Sequence, residues 1–376
     1  MNLKSLRSGK EKFIQFCWFI ALVLGAPSLT AQQQEYNLTT LASGLYFPWS
    51  IDFLPDGKII IAERIGRLKI LSPSDGEIVE VRWPAIGTPT VYPAGQGGLF
   101  DVLLSPNFTT DNQVFLSYAA GNEERNRTTV AKAILKKNEL TNITIIYEAN
   151  TDKYAALHYG GRLAWTKEGL LLLVTGDGFD FREKAQDLRT HFGKTIRMTP
   201  DGQPAEGNPF PESPLVFSYG HRNPQGLAVS KAGAIFQHEH GPRGGDEINI
   251  IEAGINYGWP VITYGIDYNG AYVSPFTEVP GMAQPKHLWT PSIAPSGLTI
   301  YEEDLFPQWS GSLFVGALIN RDVRRLSVEN GIVSNEEILF AEIDERIRDV
   351  RTGPTGHIYI VTDGEEGKII RVDPTS

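Results

Sequence analysis

Six times along the chain a short apolar run meets an Asp/Gly/Pro turn and is answered by a second short strand. Ser50 to Phe53, the turn Pro55-Asp56-Gly57 and the run from Lys58 to Ala62 set the pattern. It returns with starts near residues 99, 161, 226, 297 and 349. Alternating or continuous apolar stretches of this length, bounded by turn residues, read as strands rather than helices. Each unit supplies three or four strands, and one such sheet cannot bury both of its faces alone. Packing several sheets radially removes that problem and shields the strand edges. The sequence therefore predicts an all-β fold, a six-bladed β-propeller of four-stranded antiparallel sheets. Residues 36–41 are expected to add a strand to the last blade and close the ring. A solenoid or sandwich is the competing architecture. The uneven spacing of the units favours the propeller, whose insertions can gather over one mouth of its channel.

Composition fits this reading. The 38 glycines and 24 prolines suit many tight turns, and 41% hydrophobic residues suffice for a sizeable core. A formal charge of -10 disfavours a nucleic-acid partner, which requires clustered Lys and Arg. Residues 1–31 read as a signal peptide, with Lys4, Arg7, Lys10 and Lys12 ahead of an apolar run over residues 13–24 and small residues up to Ala31. That run is short for a membrane anchor. Cys17, the only cysteine, lies within it, so a processed chain would hold no disulfide. The expectation is residues 32–376 as one propeller domain, periplasmic or secreted, without stable membrane insertion.

A few polar stretches exceed what folding requires. His158, in a glycine-rich entry to a strand, could accept a proton at neutral pH, though a lone loop histidine can equally be structural or merely exposed. Asp177 follows an apolar strand in the same repeat and could orient an imidazole, though an Asp between two glycines also suits a plain turn. Arg222 and Asn223 follow His221 and could hold an oxygen-rich planar ligand, or else brace a blade junction. Gln96 lies among Gly95, Gly97 and Gly98, where backbone could approach a ligand closely or simply turn. The stretch from His238 to Glu247 reads as a turn-rich loop without helical zinc spacing, and its carbonyls and carboxylates suit a hard cation such as calcium better. Arg346 and Arg348 alternate, so a strand would put both on one face, opposite either an anionic ligand or nearby acids such as Glu342, Asp344, Glu345 and Asp349. Trp165, Trp259 and Trp289 read as blade-core residues rather than sugar platforms.

Taken together and in order, several of these phrases carry a resemblance over about residues 41–372. They are Pro93-Ala94-Gly95-Gln96-Gly97-Gly98-Leu99, His158-Tyr159-Gly160-Gly161-Arg162-Leu163, Thr175-Gly176-Asp177-Gly178 and Gly220-His221-Arg222-Asn223-Pro224-Gln225-Gly226-Leu227. Glu239-His240-Gly241-Pro242 with Asp246-Glu247, Asn256-Tyr257-Gly258-Trp259-Pro260 and Thr290-Pro291-Ser292-Ile293-Ala294-Pro295-Ser296-Gly297 complete the set. The chain resembles the soluble sugar dehydrogenases that depend on pyrroloquinoline quinone (PQQ), the glucose/sorbosone dehydrogenase family.

The resemblance implies a propeller with the quinone over one end of its channel. It implies His158 as general base, Asp177 as its orienting carboxylate, and Gln96, Arg222, Asn223, Arg346 and Arg348 as cofactor contacts, with Arg222 also stabilising negative charge on the quinone. It implies calcium at the carbonyls of Gly241 and Pro242, and a second calcium at Glu247 and the Tyr257 carbonyl. The implied reaction is oxidation of an aldose mono- or disaccharide at C1 to the lactone, with electrons passed to an external acceptor. One departure is the stretch from Gly316 to Asp322, which lacks the cofactor-pairing Lys of members that act well on glucose and offers Arg321 instead. Loops shorter than those of the dimeric glucose enzymes imply the compact aldose-dehydrogenase branch and a monomer. Two other functions compete: a calcium-dependent propeller lactonase, and a secreted carbohydrate-binding propeller without catalysis.

Overall fold

Apolar runs such as Ile59-Ile60-Ile61-Ala62 and Leu171-Leu172-Leu173-Val174 need two buried faces, and a radial arrangement provides them. In the computed structural model, which describes residues 35–83, 90–150 and 152–375, Ile59 and Ile61 pack towards one neighbouring sheet while Ile60 and Ala62 pack towards the other. Leu171 and Leu173 likewise divide from Leu172 and Val174. Strand period two does this sorting.

Six four-stranded antiparallel sheets result. Blade 1 holds Pro48–Phe53, Ile59–Glu63, Arg67–Leu71 and Ile78–Val81. The first strands of blades 2 to 6 are Leu99–Leu104, Gly160–Trp165, Pro224–Val229, Pro295–Tyr301 and Ile347–Thr352. These fall within two residues of the repeat starts expected from the sequence. The last blade takes its outer strand from the other end of the described chain: Tyr36–Leu45 pairs antiparallel with Gly367–Pro374 in the register Leu38↔Val372 and Thr40↔Ile370. The predicted closing strand is therefore present and four residues longer than expected. From Glu35 onward the chain forms one unit. The expected signal peptide and Cys17 lie outside the described residues. Among the described residues no helix is long and apolar enough to cross a membrane.

The core is not one mass but six interfaces, each filled by side chains of two adjacent blades. The first strands line the channel, and cross-blade bonds show that they run parallel. The Leu104 N–H donates to Asp52 while the Ser50 hydroxyl donates to the Phe100 carbonyl. The Leu163 N–H donates to Asp101, and the Trp165 indole to the Leu104 carbonyl. Ser296 bonds the Ile347 carbonyl while Thr299 bonds Thr352. Partners rise together in number, so all these strands begin at one mouth. Residues that precede a first strand, or follow the antiparallel second strand, must gather there.

Candidate active site

That rule gathers nearly every polar residue singled out in the sequence. Gln96, His158, Arg222, Asn223 and Arg346 precede first strands. Asp177, Gly241 and Pro242 follow second strands. Arg348 stands second in the first strand of blade 6. His158 and the Arg346–Arg348 face thus share a mouth.

At its centre His158 and Asp177 are almost fully buried, and the imidazole Nδ1 lies 2.7 Å from Asp177 Oδ1. The same carboxylate accepts the Phe179 N–H at 2.8 Å and, on Oδ2, the Trp259 indole N–H at 2.7 Å. A ring that donates its Nδ1–H to a carboxylate keeps its lone pair on Nε2. The local backbone permits this closeness. His158 is itself left-handed at φ 50°, and a Cβ at Gly176 would lie 2.3 Å from the His158 carbonyl oxygen. Burial pushes the His158 pKa below its ordinary value; Asp177 opposes this, while Arg222 and Lys153 reinforce it. The ring is thus oriented, and its surroundings bias it towards the neutral form.

His158, Asp177 and Arg222 line a cavity of about 250 Å³ together with Phe179, Asp180, Arg182, Pro242, Trp259, Asp267 and Tyr268. Arg222 spreads its guanidinium 5.2 Å from the Trp259 ring centroid and donates Nη1 to the carbonyls of His240 (3.1 Å) and Gly241 (2.7 Å). Its Nε is buried without a hydrogen-bond partner. Arg182 and Asp267 pair at 3.1 Å and tie two rim loops together. Aromatic walls and a spare guanidinium donor suit a flat, electron-rich ligand.

Two expected contacts sit differently. The Gln96 Oε1 accepts the His158 N–H at 2.8 Å, so this side chain fixes the base and keeps its amide NH₂ to donate. The glycines around it bring backbone close to backbone: a Cβ at Gly95 would meet the Ala156 carbonyl at 2.5 Å, and one at Gly98 the Arg64 carbonyl at 2.0 Å. Asn223 is buried and its Oδ1 accepts Gln225 Nε2 at 3.2 Å. Arg346 and Arg348 share one acid, Asp363, at 3.1 and 3.2 Å. It follows the second strand of the same blade and is none of the four acids that sequence proximity suggested. Arg321 turns to the exposed Asp344 at 3.3 Å.

The stretch from His238 to Glu247 is less of a loop than expected. His238 and Glu239 end one strand and Asp246 and Glu247 begin the next, leaving only residues 240–245 between them. This pairing brings Glu239 opposite Glu247. Burial, with the charges of Glu239 and Asp246, pushes the Glu247 carboxyl up to about 8. Both acids line a cavity of about 20 Å³ with Gly241 and Tyr257. Among the described residues no group of three or more His, Cys, Asp or Glu side chains is placed to hold a metal.

Sequence reasoning missed Trp259, read as blade core but bonded to Asp177, while Trp165 and Trp289 do pack within the blades. It also missed Arg64, which follows a second strand, as Asp177 does, and lies over the Phe47 ring at 4.5 Å, near Arg348 and Asp363. Position after a second strand was the available signal.

Comparison with known proteins identifies the family. Residues 45–371 match the family model described as Glucose / Sorbosone dehydrogenase. An aldose sugar dehydrogenase of Escherichia coli is 37% identical over 96% of this chain and 99% of its own length. The crystal structure of the soluble E. coli aldose sugar dehydrogenase in its apo form superposes with a TM-score of 0.85, covering 91% of this chain and 100% of that one. The PQQ-bound aldose sugar dehydrogenase of Streptomyces coelicolor is 28% identical, with a TM-score of 0.74 over 90% of this chain and 98% of its own. The protein belongs to the glucose/sorbosone dehydrogenase family and is an oxidoreductase.

Proposed function

We propose that the protein oxidises aldose sugars at C1 to the lactone, using PQQ and an external electron acceptor, with His158 as general base. The observation that carries this reading is the buried imidazole bonded to Asp177 at a cavity that also presents a buried, unpartnered Arg222 N–H. His158 Nε2 is the atom that would take the C1 hydroxyl proton, while Asp177 holds the ring and steadies the imidazolium that forms. Arg222 would face negative charge developing on an acceptor oxygen.

The chain's residues fit an anionic planar cofactor. Arg64, Arg346 and Arg348 face a single carboxylate, Asp363, which leaves this cluster of four with an excess of two positive charges in an acidic protein. Those guanidiniums would hold carboxylates of PQQ, and Gln96, Asn223 and Arg222 would complete the polar contacts. When bound, the quinone supplies the two-electron acceptor for the C1 hydride. Calcium fits best between Glu239 and Glu247, with the Tyr257 carbonyl, where two acids crowd an ion-sized space. The Gly241 carbonyl already accepts Arg222, so a cation at Gly241 and Pro242 would sit beside that guanidinium and would need the cofactor's own anionic groups. We also place the processed chain, residues 32–376, outside the cytoplasm as a monomer, on the strength of the basic and apolar N-terminal segment and the short loops.

The test is reconstitution. Apoprotein given PQQ and calcium should reduce an artificial dye when an aldose is added. His158→Gln should lower turnover by about 10²-fold or more while leaving the absorbance change of the quinone titration intact. Undiminished turnover in that variant would remove the assigned base.

A further inference from the structure

Lys153 is buried at 3% exposure and has no place in the reaction just described. Its ammonium donates to the Ala155 carbonyl at 2.8 Å and to the Leu157 carbonyl. It also lies 3.3 Å from the centroid of the Tyr159 ring. It therefore grips both flanks of His158. Its own backbone is fastened to Asn126 by two hydrogen bonds, and the Tyr159 hydroxyl donates to the Asn126 side chain at 2.6 Å. Asp177 and Asp180 act on the ammonium as charges rather than as direct partners.

Burying a lysine without a bonded carboxylate is costly, and a neutral side chain could fill the same space. The electrostatics of His158 supply a reason. An Asp that orients an imidazole also invites its protonation, and a protonated ring is no base. Among the groups acting on His158, Asp177 favours the imidazolium, and Arg222 and Lys153 oppose it. His240, itself buried and held neutral, adds no positive charge of its own near neutral pH.

We propose that Lys153 is a positioning residue for His158: its ammonium braces the turn that delivers the imidazole and offsets the Asp177 carboxylate, so that the ring is oriented yet neutral. This rests on the reading of His158 as base, but its electrostatic content can be measured without turnover. Burial also lowers the pKa of Lys153 itself to about 7, so the brace weakens as pH rises past neutrality.

The experiment is an NMR titration of the histidine ring resonances in apoprotein, with the His158 signal assigned by its loss in His158→Gln. Lys153→Met should raise the His158 pKa by about one pH unit, and Lys153→Arg should leave it near the wild-type value. Should Lys153→Met not fold, Lys153→Gln removes the charge while retaining amide donors, and the same rise is expected. An unchanged His158 pKa in the folded neutral variant overturns the proposal. In reconstituted enzyme the acid limb of kcat/KM should move upward by the same amount. If the titration shifts but His158→Gln turns over normally, the role of the base fails while the charge relation stands.

Discussion

Arg162 allows the arrangement at the axis to be tested through stability. Its guanidinium is buried and joins four other blades. Nε donates to the Gln225 carbonyl of blade 4 at 2.8 Å, and Nη2 donates to the Arg348 carbonyl of blade 6 at 3.2 Å. Asp349 lies 3.1 Å away and Asp101 of blade 2 lies 3.7 Å away. The ring centroid of Trp49 in blade 1 is 4.0 Å from the guanidinium carbon. Arg162→Met keeps much of the volume and loses all of these polar contacts. Arg351 still bonds Asp101 and Asp349 at 2.8 and 2.9 Å, so the acids are not wholly stranded. Two lost bonds to carbonyls at about 1 kcal/mol each, plus a partly uncompensated buried carboxylate, give about 4 kcal/mol. For a unit of about 340 residues the entropy of unfolding is roughly 0.7 kcal/mol/K, so the melting temperature should drop by about 6 °C. Differential scanning calorimetry at 150 mM salt reads this directly. Arg162→Met/Asp349→Asn should recover part of the loss, because the stranded charge goes with it. A single variant that melts within about 1 °C of wild type, or a double variant that is strictly additive, would refute the idea of a charged keystone.

Three other outcomes follow from the same geometry. Asp177→Asn can present an amide N–H to His158 and favour the wrong tautomer; kcat should fall by about 10³-fold or more with little change in quinone affinity. Unfolding should become easier below about pH 6.5, because burial depresses His191 and His240 to about 4 and His238 to about 3, while the unfolded chain protonates all three. Glu247 and Asp52 act in the opposite sense, burial pushing their carboxyls up to about 8 and about 6 and so favouring the fold at low pH; urea midpoints should report a net uptake of about one proton from these five groups on unfolding near pH 5.5. Calcium entering beside Glu247 should expel close to one proton at pH 7 and almost none above pH 9, as calorimetry in buffers of different ionisation enthalpy would show; a pH-independent signal would argue against that carboxyl.

The ring was readable in the sequence because it is written in local chemistry. Runs such as Ile59 to Ala62 state that both faces are buried, and turn residues mark where each strand stops. The mouth was readable for the same reason, since position relative to first and second strands fixes which residues meet. The partners of these side chains were not. The acid answering Arg346 and Arg348 is Asp363, which strand pairing brings alongside, and no sequence period connects Trp259 to Asp177, 82 residues away. The mixture of strand and loop around Glu239 and Glu247 was also hidden, because short turn-rich segments look alike whether or not they pair.

The clasp between Tyr36–Leu45 and Gly367–Pro374 has a temporal consequence. The wall bearing Arg346, Arg348 and Asp363 belongs to the blade that both ends of the chain complete together. A polypeptide still emerging from synthesis, or one clipped within its first described strand, lacks that finished wall and leaves two greasy flanks uncovered. The ability to receive an anionic guest should therefore arrive abruptly, with the final strand, and not build up blade by blade.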